Sequence, residues 1–155
     1  KLKESVMKNL SLLLVMLFLF VGCVPQSTII PNTPQNYQAE YNKVWNAAVD
    51  SIDELGFTAA QLNKEEGYIT TSKEETTQVY GQMTGPELLL LMIPKERVKI
   101  TIRLTKEGES IRVNVVSFIE RFNSQSILPN KWSQVESNGT LEKEIQEKIK
   151  AKLIL

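Results

Sequence analysis

The stretch "RVKITIRLTKEGESIRVNVVSFIERF", Arg97–Phe122, decides the fold. Its first part sets Val98, Ile100, Ile102 and Leu104 at alternate positions, with Lys99, Thr101 and Arg103 between them. Its second part repeats the rhythm with Ile111, Val113, Val115, Ser117 and Ile119. Successive side chains of a strand point to opposite faces, so each part predicts a strand with one packed face and one wet face. The intervening "KEGE", Lys106–Glu109, has the length and the glycine of a hairpin turn. An antiparallel sheet of this kind needs a cover on its apolar side, and helices commonly supply it.

Two flanking segments have the required helical period. In "AEYNKVWNAAVDSIDELGF", Ala39–Phe57, apolar residues fall at Tyr41, Val44, Trp45, Ala48, Ile52 and Leu55. That spacing lines one helical face, and Trp45, in the middle of the stripe, reads as core rather than as a binding residue. Glu40 stands where the helix dipole favours negative charge, and Gly56 suits the left-handed residue after the helix. At the far end Leu141, Ile145, Ile149 and Leu153 recur every four residues. Asn138 or Thr140 is the candidate cap there, and Glu144 with Lys148 has the favourable i, i+4 orientation. Between the first helix and the long hairpin, Phe57–Leu62 and Tyr68–Ser72 read as strands joined by "NKEEG", with Gly67 supplying the turn. The expectation is an α+β fold: an antiparallel sheet of about four strands, two helices packed on one face, in the order α-β-β-β-β-α. One domain over residues 39–155 accommodates it.

Two stretches resist a regular reading. "KEETTQVYGQMTGPELLLLMIPKE", Lys73–Glu96, is punctuated by Gly81, Gly85, Pro86 and Pro94. Its apolar run is too short to cross a membrane. Three readings stay open for it: a short buried helical turn, a strand, or an exposed apolar loop. An exposed run marks Leu88, Leu89, Leu90, Leu91, Met92 and Ile93 as candidate partner or ligand contacts. "NSQSILPNKWSQVESNG", Asn123–Gly139, reads as a loop.

Composition excludes several chemistries. The chain has 155 residues, with 18 basic and 18 acidic side chains, no histidine and one cysteine. Intramolecular disulfides are ruled out, as are His- and Cys-based metal sites and Ser-His-Asp or Cys-His catalysis. A near-neutral chain lacks the electrostatic footprint of a nucleic-acid binder. Asp50, Asp53, Glu54, Glu65, Glu66, Glu74 and Glu75 fall on expected wet faces or turns, where catalytic pKa separation is hard to achieve. Ser51, Ser72 and Ser117 have no histidine to activate them, and no phosphate-cradling glycine motif is present. The reading is therefore non-enzymatic, with no cofactor, no metal and no nucleic-acid partner. The cations of "RVKITIR" on one strand face suit either an anionic partner or simple solubility.

The amino-terminal part supplies an address. The apolar run Leu10–Val24 is 15 residues long, against roughly 20 for a spanning helix. A basic start around Lys8, an apolar middle and a small residue at the end describe a secretory signal over residues 1–22, with Met7 as its natural start. The junction "FVGC", Phe20–Cys23, resembles the bacterial lipobox, with Phe20 in place of the usual leucine. That resemblance implies cleavage before Cys23 and lipid on its sulfur and new amino terminus; two or more acyl chains anchor stably where one does not. Residues 23–38, rich in Pro, Ser, Thr, Asn and Gln, then read as a lipidated, extended tether. Val24 in place of an aspartate implies sorting to the periplasmic face of the outer membrane in a double-membraned bacterium. In a single-membraned one the same signal implies the outer face of the cytoplasmic membrane.

A second resemblance covers roughly residues 37–153. Tyr41, Val44, Trp45, Ala48 and Leu55-Gly56-Phe57, then Gly67–Thr71, then Trp132 onward to the last helix, resemble the repeated domain of outer-membrane assembly lipoproteins of the BamC type. Proteins of that type carry two such domains after a long segment, whereas this chain has room for one. The resemblance implies a compact helix-on-sheet unit that contacts other envelope proteins. The alternative is a module that holds a small apolar ligand or lipid in a cavity between helix and sheet.

Overall fold

The computed structural model describes residues 30–76, 78–83, 95–123 and 131–154. In chain order the elements are β1 (Gln35–Tyr37), α1 (Tyr41–Glu54), β2 (Ala59–Asn63), β3 (Tyr68–Thr71), β4 (Glu74–Thr76), β5 (Glu96–Glu107), β6 (Ser110–Asn123), β7 (Lys131–Val135) and α2 (Thr140–Ile154). Among the described residues the fold is α+β, with two helices and a seven-stranded antiparallel sheet. The β5–β6 hairpin is its spine, paired without a break from Glu96↔Arg121 to Glu107↔Ser110. β3 and β4 lie end to end along the free side of β5, and β2 pairs with β3 beyond them. β1 and β7 take separate parts of the free side of β6.

Register puts the apolar sides of both long strands on one face. Val98 lies opposite Ile119, Ile102 opposite Val115, and Leu104 opposite Val113. These six side chains are buried among Val44, Trp45, Ala48 and Ile52 of α1 and Leu141, Ile145 and Ile149 of α2. Each large side chain so buried contributes about 1.5–3 kcal/mol, before the entropy of ordering it is subtracted. The helices also meet each other: Lys148 and Lys152 of α2 both reach Glu54 at the end of α1. Lys148 is thereby turned to Glu54, not to Glu144, the neighbour expected for it from helical spacing.

The end of α1 shows how local sequence fixes a turn. Gly56 has a φ of +79°, its N–H donates to the Asp53 carbonyl, and the Phe57 N–H donates to the Ile52 carbonyl. This is the paired closure of a Schellman motif, and the buried Phe57 completes it by packing inward. Phe57 therefore belongs to the helix stop and not to β2, which begins at Ala59. At α2 the Asn138 side chain accepts from the Thr140 N–H at 2.9 Å, meeting one donor of the first turn, while the Gly139 carbonyl takes the first helical bond from the Lys143 N–H.

Three short strands depart from the expected four and from the order α-β-β-β-β-α. β1 occupies Gln35–Tyr37, in the segment read as tether; β4 lies in the irregular stretch after Ser72; β7 lies in the stretch read as a loop. Each spans five residues or fewer and lacks a clean alternation. They are strands because the long hairpin offers unpaired backbone along both sides, which is a property of the sheet and not of their own residues.

Candidate functional site

The sheet face away from the helices is built by the other half of the alternation. From β5 it receives Arg97, Lys99, Thr101 and Arg103; from β6 it receives Asn114, Val116, Phe118, Glu120 and Phe122. Lys99 lies opposite Phe118, Thr101 opposite Val116 and Arg103 opposite Asn114. β7 adds Trp132 opposite Phe122, with ring centroids 5.2 Å apart. The Arg97 guanidinium lies 4.0 Å from the centroid of the Trp132 ring and donates to Glu75 at 2.8 and 3.1 Å. A cation on an indole face is attracted by the ring quadrupole, so the stack fixes Trp132 as a platform. Phe118 is 47% exposed.

Charge on this face is unevenly matched. Lys73 pairs with Glu120 at 2.8 Å, Arg97 with Glu75 at 2.8 Å and Arg112 with Glu107 at 3.1 Å. Among the described residues, Lys99 and Arg103 have no carboxylate within ion-pair distance. Tyr68 of β3 stands opposite Arg103. The hydroxyls of Thr70 and Thr101, and then the charges of Lys99 and Arg103, favour its phenolate and hold its pKa below the usual tyrosine range. Thr70 is itself buried beside this row.

On the helix side, one end of the sheet holds a polar node. Glu96 and Arg121, opposite each other in the hairpin, are both buried and meet at 2.7 Å. The second Glu96 oxygen accepts from the Tyr80 and Gly81 N–H groups at 2.8 and 3.1 Å, and Arg121 donates to the Gln82 carbonyl at 3.0 Å. A Cβ on Gly81 would come within 2.6 Å of Val135 and 2.9 Å of both charged side chains. The node fastens Tyr80–Gln82 under the sheet. Sequence reading passed it over, yet counting back along the hairpin from its turn puts a glutamate and an arginine opposite each other on the packed face.

A second edge device closes the gap between β1 and β7. There Asn32 donates to the Val115 carbonyl, and the buried Glu142 accepts from the Ser117 N–H at 3.2 Å and from the Ser137 hydroxyl at 2.8 Å. Side chains thus occupy backbone groups that an edge strand would otherwise leave open to pairing.

The residues singled out from sequence fall into three groups. Cys23 and the run Leu88–Ile93 lie outside the described residues. Asp50, Asp53, Glu54, Glu65, Glu66 and Glu75 are exposed and dispersed, and Glu54 is held below the usual carboxylate range by hydrogen bonds from Lys152 and Lys148. Ser51 is buried and donates to the Ala47 carbonyl at 2.6 Å, and Trp45 is a core residue. Among the described residues, no cluster of acidic or cysteine side chains is close enough to hold a metal ion, and no helix is long and apolar enough to cross a membrane. A cleft of about 400 Å³ beside the end of α1 opens to solvent and mixes Phe57 and Tyr80 with Glu75, Gln78 and Lys95. No protein-family model matches the chain, and comparison with curated proteins gives no match.

Proposed function

We propose that this is a lipid-anchored protein of the bacterial envelope whose α+β domain acts as a non-enzymatic protein–protein interaction module, an accessory in envelope assembly. The observation that carries the reading is the open sheet face, where Trp132, Phe122 and the half-exposed Phe118 are set among arginine and lysine side chains. Aromatic residues and arginine are enriched in protein contact surfaces, and the centres of such surfaces carry most of the binding energy. The leader and the "FVGC" junction support anchoring through lipid on Cys23, at the outer membrane or, in a single-membraned bacterium, the outer face of the cytoplasmic membrane. The BamC-type pattern over residues 37–153 fits the same role.

The alternative, a cavity for an apolar ligand between helix and sheet, has less to support it. Among the described residues that layer is filled by fully buried Val44, Ile52, Ile102, Val115, Ile145 and Ile149. The test has two arms. Cys23→Ala should move the protein from the membrane to the soluble fraction; persistence in the membrane defeats the anchoring claim. A photo-crosslinker at Phe118 should give discrete envelope-protein adducts that the same group at Lys150, on the exposed side of α2, does not. Equal or absent adducts at both positions defeat the contact-face claim.

A further inference from the structure

We infer that the open sheet face receives an acidic amphipathic helix of a protein partner, its apolar stripe on the β6–β7 row and its carboxylates on Lys99 and Arg103. The inference rests on the interaction-module reading above and adds the chemistry of the partner.

The face presents two parallel rows. The apolar row runs through Val116 and Phe118 and, past the Glu120–Lys73 pair, resumes at Phe122 and Trp132, and the cationic row runs along β5 beside it. Adjacent strands stand about 5 Å apart, so one elongated partner covers both rows at once. Among the described residues, Lys73, Arg97 and Arg112 on this side have carboxylate partners, and Lys99 and Arg103 have none within ion-pair distance. Four residues apart on a strand, these two lie about 13 Å from each other. On a helix, side chains eight residues apart share a face and are separated by about 12 Å, so two glutamates so placed meet both cations. Tyr68 of β3, opposite Arg103, borders the two cations.

A face with one half-exposed aromatic suits a protein better than a bilayer, because interfacial anchoring relies on a broad apolar surface sunk below the headgroups. Nucleic acid is disfavoured by the neutral chain, which lacks the basic excess such binding draws on.

The experiment uses the full chain in zwitterionic detergent. The probe is a fluorescein-labelled helical peptide of 21 residues repeating Leu-Glu-Glu-Leu-Leu-Glu-Lys, read by fluorescence anisotropy. Saturable binding below about 1 mM is expected, a modest affinity of −4 kcal/mol or better. Binding should weaken at least tenfold in K99E/R103E and in F118A, and should weaken as salt rises. A counterpart peptide with lysine in place of each glutamate should not bind. No saturable binding of the acidic peptide, or equal binding by K99E/R103E, overturns the inference. Preference for the basic peptide overturns it while leaving an interaction module intact. Binding to phosphatidylglycerol vesicles that is lost in F118A and K99E/R103E, with no peptide binding, overturns both the inference and the module reading.

Discussion

Removing the guanidinium of Arg121 should be among the most costly single changes in the domain. Glu96 is wholly buried, and its carboxylate is balanced by Arg121 through two contacts at 2.7 and 3.1 Å together with the N–H groups of Tyr80 and Gly81. Arg121→Met keeps much of the apolar stem and deletes the charge, leaving an uncompensated carboxylate and an unmet Gln82 carbonyl. Breaking a buried pair in this way costs about 3–5 kcal/mol. Against a total stability of about 5–15 kcal/mol, that is a large share. With a urea slope of about 1–3 kcal/mol per M, the unfolding midpoint should fall by about 2 M. The second half of the test separates charge from packing. Glu96→Gln keeps an oxygen for the two N–H groups and removes the stranded charge, so E96Q/R121M should regain at least about 0.5 kcal/mol over R121M, the lower end of a coupled pair. Equilibrium unfolding followed by far-UV circular dichroism measures both. A loss below about 1 kcal/mol in R121M, or a double variant no more stable than R121M, refutes the claim that the node is electrostatically closed.

Three other expectations follow from the same coordinates. Gly67→Ala introduces a Cβ against the Leu104 carbonyl at a φ of +67°, whereas Gly56→Ala, at +79°, meets open space. Gly56→Ala should cost about 1–2 kcal/mol for the left-handed backbone alone, and Gly67→Ala distinctly more; equal midpoints in urea would contradict the steric account. Burial pushes the Tyr37 phenol up to about 12, and its hydroxyl donates to the Gln146 carbonyl at 3.0 Å. Its folded pKa lies above its unfolded one, so its contribution is intact below about pH 10 and is lost as pH rises toward 12. The loss should be partial, since the ring is half-buried, and Tyr37→Phe should flatten that alkaline decline in stability. Tyr68 should titrate first among the tyrosines when phenolate absorbance is followed, and Tyr68→Phe should remove that earliest step.

The sequence by itself determined the elements whose stability is written in their own residues. The two-residue alternation of Arg97–Phe122 and the three-to-four spacing of Tyr41–Leu55 and Leu141–Leu153 each specify a face, because burial of that face outweighs other arrangements. Gly56 and Gly67 punctuate the chain where positive φ is needed, and both were legible for that reason. β1, β4 and β7 were not, since three to five residues gain too little from their own contacts and become strands only when the long hairpin offers a partner. The Glu96–Arg121, Asn32–Val115 and Glu142–Ser117 contacts join residues 25 or more apart in sequence, and burial that makes them matter exists only after the sheet forms. The open face divides in the same way. That Lys99 and Arg103 share a wet face followed from alternation, whereas Trp132 joined them only through the register of β7 on β6. Sequence decides which side of each strand is wet; tertiary pairing decides which wet sides become one surface.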